Sequence, residues 1–320
     1  PEMPICDPHH HLWEYRPEPA DYQRYLLQEL ADDINSGHNV QSTVFIEVRS
    51  NYRTDGPQEM RSVGEVEFVE ALAEASATGR YGPCKTAAAI IGRADLKLGE
   101  AVKPVLDALQ AASPKRFQGI RHSVGWDPHP EVENREIERC LANDGYRAGA
   151  RELANMDLCL ETSMYFPQLA ELAAFAKSLP NLTIVLNHLG GLMRTGPYGN
   201  LGDEVITTWR TGIDEVADCP NIIMKLGGVG MPRMGFDWHI RTNPVGSEVL
   251  AKSIAPFIDY SIEKFGPDRC MFESNFPVDK VSFSYNIMYN AFKLVSQGYS
   301  ASERAEMFHD TAARVYRIGV

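Results

Sequence analysis

Ile5-Cys6-Asp7-Pro8-His9-His10-His11-Leu12-Trp13 sets three of the nine histidines of this 320-residue chain side by side. In an extended segment successive side chains alternate faces, so His9 and His11 point one way and His10 the other. Two imidazoles about 7 Å apart on one strand face can hold a metal ion or an oxyanion between them. An apolar pair precedes the triplet and Leu12-Trp13 follows it, which argues for the end of an ordered strand rather than a tag or a surface loop. The stretch also bears on the fold. A doubly wound open sheet usually follows its first strand with a Gly-rich phosphate loop, whereas this strand ends in histidines.

Outward from the triplet, seven more β-rich runs occur at 40–48, 85–91, 117–124, 158–164, 182–187, 222–226 and 270–272. Helical spacing of apolar residues falls between them, over 25–34, 63–75, 101–109, 169–179, 205–216 and 250–262. Terminal helices are predicted over 283–295 and 302–308, the second with Ser300 and Glu303 in capping-box spacing. Residues 17–22 read as a loop, and a long loop over 231–244 holds Trp238 and His239 and could close as a lid. Eight strands alternating with helices, with no interior Gly/Ser linker, predict an α/β fold. The expected form is a single (β/α)8 TIM barrel over 1–320, its C-terminal helices starting at about 282.

A net charge of −12 argues against nucleic acid or an anionic membrane as partner. No apolar run approaches the roughly 20 residues of a membrane span, and Pro1-Glu2-Met3-Pro4 does not read as a signal peptide. A cytoplasmic enzyme acting on a small molecule is the expectation. The six cysteines lie far apart without Cys-x-x-Cys spacing, which fits buried free thiols. Apolar positions on 283–295 suit a core or an interface equally, so a homo-oligomer stays open.

In such a barrel the site lies at the C-terminal ends of the strands. The polar residues there are His9 and His11, Glu47 and Arg49, Arg121 and His122, Tyr165, His188, Lys225, Glu273 and Asn275. Histidines, cations and a carboxylate converging on one mouth suit an anionic or carbonyl-bearing substrate.

Asp7-Pro8-His9-His10-His11-Leu12-Trp13, Gly119-Ile120-Arg121-His122, Asn187-His188-Leu189-Gly190-Gly191, Lys225-Leu226-Gly227-Gly228 and Phe272-Glu273-Ser274-Asn275-Phe276-Pro277-Val278 occur in that order. Together they resemble the amidohydrolase-related (amidohydrolase 2) family, in its metal-dependent hydrolase and lactonase branch, similar to 2-pyrone-4,6-dicarboxylate lactonase. The resemblance implies a distorted barrel of the amidohydrolase superfamily, with His9, His11 and His188 available to a divalent metal, zinc foremost, and no organic cofactor. In metal-bearing relatives a fifth-strand histidine and an eighth-strand aspartate complete the site, and the aspartate takes the proton from water. This chain departs at both places, with Glu161-Thr162-Ser163-Met164-Tyr165 on the fifth strand and Asn275 on the eighth.

An amide is a neutral, weak ligand and no general base, so Asn275 removes a charge that would anchor a cation. His9, His11 and His188, with Glu47 or Glu161, are the ligands left to a metal. Metal-free members of the lactonase branch leave hydrolysis open either way. The expected chemistry is hydrolysis of a small carboxylate-bearing lactone, ester or amide. His188 is the first candidate for base and Glu273 the second, while Arg121 and Lys225 hold a carboxylate and the carbonyl oxygen. His9 and His11 either hold a metal or polarise the carbonyl. Glu47, Arg49, His122, Tyr165, Trp238 and His239 are the candidate substrate-binding residues. Two alternatives stand beside this. One is a non-oxidative decarboxylase of an aromatic or unsaturated acid, which normally needs the complete metal set; the other is a catalytically reduced subunit or binding protein, motivated by Asn275.

Overall fold

The computed structural model describes residues 2–16 and 22–319. The loop expected over 17–22 lies outside them but for Tyr22. Eight strands pair in parallel in sequence order: β1 (Pro4–His10), β2 (Asn39–Ile46), β3 (Lys85–Gly92), β4 (Phe117–Arg121), β5 (Cys159–Thr162), β6 (Ile184–Leu186), β7 (Ile222–Leu226) and β8 (Cys270–Phe272). The sheet curls until its last strand reaches its first. Asn275 N–H donates to the His9 carbonyl at 2.9 Å, and His11 N–H donates to the Phe276 carbonyl at 2.8 Å. The barrel is therefore stitched shut at the mouth, with residue 275 held beside His9 through the backbone.

The distortion is local. The β1/β2 register shifts between Ile5 and Cys6 and again between Asp7 and His10, where Pro8 has no amide hydrogen to give the ladder. Further shifts fall in β2/β3 and β3/β4, while β4 to β8 pair without interruption. The alternation expected at the triplet survives: His10 Nε2 meets Thr43 Oγ1 at 2.8 Å with its ring against Phe45, away from His9 and His11.

Helices Val63–Ser76, Lys103–Ala112, Leu169–Ser178, Asp203–Ala217 and Ser247–Phe265 lie where apolar spacing places them. Another, Asp144–Asn155, is polar overall and has two glycines, so sequence reading passes over it although its buried face, Tyr146, Gly149, Ala150 and Leu153, keeps helical spacing. Asn143 caps it by accepting from Tyr146 N–H at 3.0 Å. A Cβ on Gly149 would stand 2.3 Å from the Leu96 carbonyl, so glycine is what lets this helix pack so close. At the C-terminus, Tyr285–Val295 is followed by Ala301–Ala305, which runs through a π-helical turn into Thr311–Val315. No helix among the described residues is long and apolar enough to cross a membrane.

Outward-facing strand residues such as Leu160, Leu186, Met224 and Phe272 join the layer between barrel and helices. Inward-facing ones, among them Cys6, Val44, Ile46, Ala89, Ile91, Val185 and Ile223, form a second cluster inside the barrel, packed against Ala312 and Tyr316 of the C-terminal segment. All six cysteines are free and buried.

Candidate active site

One alternation step beyond that apolar layer, three strands turn charged groups inward: Cys159 is followed by Glu161, Ile223 by Lys225, and Met271 by Glu273. All three charged side chains are fully buried. Lys225 Nζ donates to both Glu161 carboxylate oxygens, at 2.9 and 2.8 Å, and to the Pro8 carbonyl at 2.8 Å. Glu161 also accepts from Tyr316 Oη at 2.5 Å and from Asn187 Nδ2 at 2.9 Å. Lys225 is thus matched by a buried carboxylate and lies beneath the cavity lining rather than in it. The expectation that it grips the substrate gives way to an internal ion pair.

Above this layer opens a cavity of about 500 Å³. His188 stands at its floor, in the turn after β6, where residues 188 to 191 all adopt positive φ. A Cβ on Gly191 would stand 1.8 Å from the Met164 carbonyl, so that turn tucks under the chain leaving β5 only because the position is glycine. His188 Nδ1 lies 2.7 Å from Glu273 Oε1, which also accepts the His188 backbone N–H at 3.1 Å. The other oxygen, Oε2, is 2.7 Å from His9 Nδ1 but off the axis of a hydrogen bond, and it has no donor. Burial pushes the Glu273 carboxyl up to about 8, against the opposing pull of Lys225. It also holds His9, His11 and His188 well below the ordinary histidine value, with Lys225 adding to the effect at His9, Arg121 at His11 and Arg233 at His188. His11 Nδ1 lies 2.8 Å from the Ile46 carbonyl, which fixes Nδ1 as the protonated nitrogen.

Arg121 forms one wall. Its Nε donates to Glu47 Oε1 at 2.9 Å, a second guanidinium nitrogen donates to the Glu47 carbonyl, and a third lies 3.4 Å from His9 Nε2. Arg49 and Tyr165 also line the cavity, Tyr165 donating its hydroxyl to the Glu133 carbonyl. Asn275 lines it with φ 55°, its Nδ2 donating to Asp279 Oδ1 at 2.7 Å. Asp279 accepts Gly230 N–H at 2.7 Å as well, and burial pushes its carboxyl up to about 7. Sequence reading misses Asp279, although its position one helical turn beyond Asn275 is a usable signal. It also misses Arg16, Arg135 and Arg233, which reach the cavity from loops without periodicity.

Three expected binding residues stand elsewhere. Trp238 stacks on Phe236 with ring centres 4.2 Å apart, and neither it nor His239 lines the cavity, so the 231–244 loop contributes Met231, Pro232 and Arg233 instead. His122 follows Arg121 directly and therefore points out of the barrel, its ring 5.0 Å from Tyr146 and its Nε2 3.0 Å from Glu136 Oε2.

Lys97 reaches the same Glu136 oxygen at 2.5 Å. The His122 hydrogen bond, and then Lys97, hold the Glu136 carboxyl down to about 2. A carboxyl depressed by folding contributes stability that is present above its ordinary titration range and lost as pH falls toward the folded value. Wild type should therefore lose about 1–2 kcal/mol more than Glu136→Gln between pH ~5 and ~3, after allowance for solvent screening. Urea unfolding of both proteins across that range reads the difference, and parallel curves would remove the assigned role.

His9, His188 and Glu273 bring three ligand atoms within 4.8 Å of one another. Two imidazoles and a carboxylate match a divalent ion in kind and number, and the unpartnered Glu273 Oε2 is an oxygen that such an ion would satisfy. The residues fit the group, with Glu273 taking the place expected of His11. A second cluster, His122, Glu136 and Cys140, has Lys97 already on its carboxylate.

A family model described as amidohydrolase matches residues 6–318. An uncharacterized protein, y4mH, from Sinorhizobium fredii is 29% identical over 99% of both chains. The L-fucono-1,5-lactonase of Burkholderia multivorans is 24% identical over 72% of each. Among solved structures, a Burkholderia multivorans amidohydrolase with bound zinc superposes with a TM-score of 0.74 at 22% identity, covering 98% of this chain and 99% of that one.

Proposed function

We propose, from the premise that this chain belongs to the amidohydrolase family and is a hydrolase of that superfamily, that it opens a small carboxylate-bearing lactone or related ester by water attack at the barrel mouth. The observation that carries this reading is the 2.7 Å contact between His188 Nδ1 and Glu273 Oε1. Once ionised, above its raised value of about 8, Glu273 accepts the Nδ1–H hydrogen bond and leaves Nε2 with its lone pair at the cavity. An imidazole oriented by a carboxylate is a general base set to take a proton from water.

Asn275 has a different part. Asp279 engages its NH2 group, so the amide oxygen is the end left for the cavity. That oxygen accepts a hydrogen bond from water without taking its proton. Water oriented by Asn275 attacks the lactone carbonyl carbon, its proton passes to His188, and the ring C–O bond breaks as His188 returns the proton to the departing oxygen. Arg121 supplies guanidinium hydrogens to the carbonyl oxygen or to the substrate carboxylate. His11, with its proton on Nδ1, presents a lone pair and does not polarise the carbonyl by donation. A divalent ion, zinc foremost, would be held by His9, His188 and Glu273 and would supply Lewis-acid polarisation of a carbonyl oxygen, and a His188 that ligated it would not act as the base.

Turnover on a panel of sugar and dicarboxylate lactones, followed by acid release, tests the reading. Wild type should open at least one member, and Arg121→Ala should lower kcat/KM on it by about 10- to 100-fold, the worth of one or two charged hydrogen bonds. No turnover on any lactone, or an Arg121→Ala protein as fast as wild type, would overturn it.

A further inference from the structure

The cavity has two unlike sides. Because β1 to β8 pair in sequence order, the residues carried by β1 to β4 and the segments after them face those of β5 to β8 across the mouth. All three glutamates and four of the five arginines in the lining come from the first half. The second half contributes no carboxylate and, besides Arg233, no arginine or lysine among the described residues. Its contribution is apolar instead. Met164 and Tyr165 follow β5, Met193 follows β6, Met231 follows β7 and Val278 follows β8, so four adjacent strands each add to one wall.

Two hydroxyls in this half already have partners. Tyr165 donates its own to the Glu133 carbonyl, so the ring is the part it offers the cavity, and Ser163 Oγ donates to Ser123 Oγ at 3.1 Å. Met164 and Met193 are buried, whereas Met231 and Val278 keep part of their surface open. The wall also reaches the reacting centre. A Cβ on Gly228 would stand 2.6 Å from both the Met231 Cε and the His188 Cβ, so the Met231 methyl and the imidazole flank one glycine. Methionine is unbranched and polarisable and fits itself to varied apolar shapes. Thioether and methyl groups give a hydroxyl no useful partner, so at this wall an apolar substituent binds better than a hydroxylated one.

We propose that Met164, Met193 and Met231 form an apolar subsite and that the substrate is amphipathic, its carboxylate toward the β1–β4 side and an alkyl or aryl substituent against the methionines beside His188. The proposal rests on the cavity being the substrate site and adds to the lactone reading the group that the ring carries. The three methionines set specificity in this arrangement and take no part in the proton transfers.

Calorimetric titration with butanoate, hexanoate, octanoate and 4-phenylbutanoate tests it without any turnover, since each acid carries one charge and only the apolar part varies. In wild type, affinity should rise about twofold per added methylene, the worth of covering one side of it, and so about 15-fold from butanoate to octanoate. Met193→Gln and Met231→Gln keep the length of the side chain but add an amide, and each should cut that gain by about half or more. Met193→Leu and Met231→Leu, which stay apolar at similar volume, should keep most of it. Tighter binding of 4-phenylbutanoate than of octanoate assigns the substituent to the aryl class, and the reverse order assigns it to the alkyl class. A wild-type gain below about threefold, no binding of any of these acids, or a gain unchanged in both glutamine variants overturns the subsite. Turnover of γ-butyrolactone and γ-octalactone separates it from the hydrolytic reading. A protein that shows the affinity gain yet opens no lactone keeps the subsite and loses the hydrolysis; one that opens both rings at the same kcat/KM, with no affinity gain, keeps the hydrolysis and loses the subsite.

Discussion

His188→Ala is expected to lower kcat by about 10²–10⁴-fold on whichever lactone the protein opens, with a smaller change in KM. The size follows from the placement of the imidazole. It is the cavity-lining histidine whose Nδ1 faces the buried Glu273 carboxyl, so once Glu273 is ionised its Nε2 meets substrate or water with a free lone pair. Alanine removes the proton acceptor and leaves Arg121 and Asn275 where they are. Glu273→Gln should also lower kcat, because an amide can turn its NH2 toward Nδ1 and reverse the tautomer. The double variant separates orientation from an independent role. Since Glu273 acts through the imidazole, His188→Ala/Glu273→Gln should be only slightly slower than His188→Ala alone. Full additivity of the two losses, or a His188→Ala protein with wild-type kcat, would remove His188 as base. Metal analysis of the same preparations distinguishes a base from a ligand, since loss of a bound ion in His188→Ala would assign the histidine to coordination.

What the sequence reveals here follows period and register. Each of the eight strands is legible because a buried parallel strand is a short apolar run and helices separate the runs. His9 and His11 are legible because alternation survives a strand end even where Pro8 breaks the ladder. The errors have the same physics behind them. Arg121 and His122 are neighbours, so a strand end that delivers one to the cavity sends the other outward, and the list of residues alone does not say which. Lys225 looks like a substrate-binding cation until β5 sets Glu161 beside it, a pairing between residues 64 apart in sequence. Arg16, Arg135 and Arg233 lie in loops, where neither period nor cap marks a residue as functional. Asn275 reads as a loss when compared with an aspartate, but its bond to Asp279 gives it a defined orientation at the cavity.

Lys225→Ala is expected to destabilise the fold by about 3–5 kcal/mol, the usual penalty for removing one partner of a buried ion pair. The ammonium is fully buried and donates to both oxygens of Glu161 and to the Pro8 carbonyl. Without it, Glu161 keeps the neutral donors Tyr316 and Asn187 but has no counter-charge, and the Pro8 carbonyl loses its donor at the point where β1 slips register. Urea unfolding at constant m-value reads the change as a shift in midpoint. Two results separate loss of the ion pair from loss of packing. Glu161→Gln in the wild-type background should also be costly, because it strands the ammonium, whereas Lys225→Met/Glu161→Gln should recover most of the deficit by removing both charges and filling the space. A single variant within 1 kcal/mol of wild type, on the scale of an exposed pair, would mean that the pair is not the counterbalanced charge described above. The consequence for function is directional. Lys225 approaches His9 Nδ1 at 3.3 Å, so breaking the pair loosens the strand that carries His9, and activity should fall together with stability rather than ahead of it. A variant that keeps its midpoint but loses turnover would instead return Lys225 to the reacting groups.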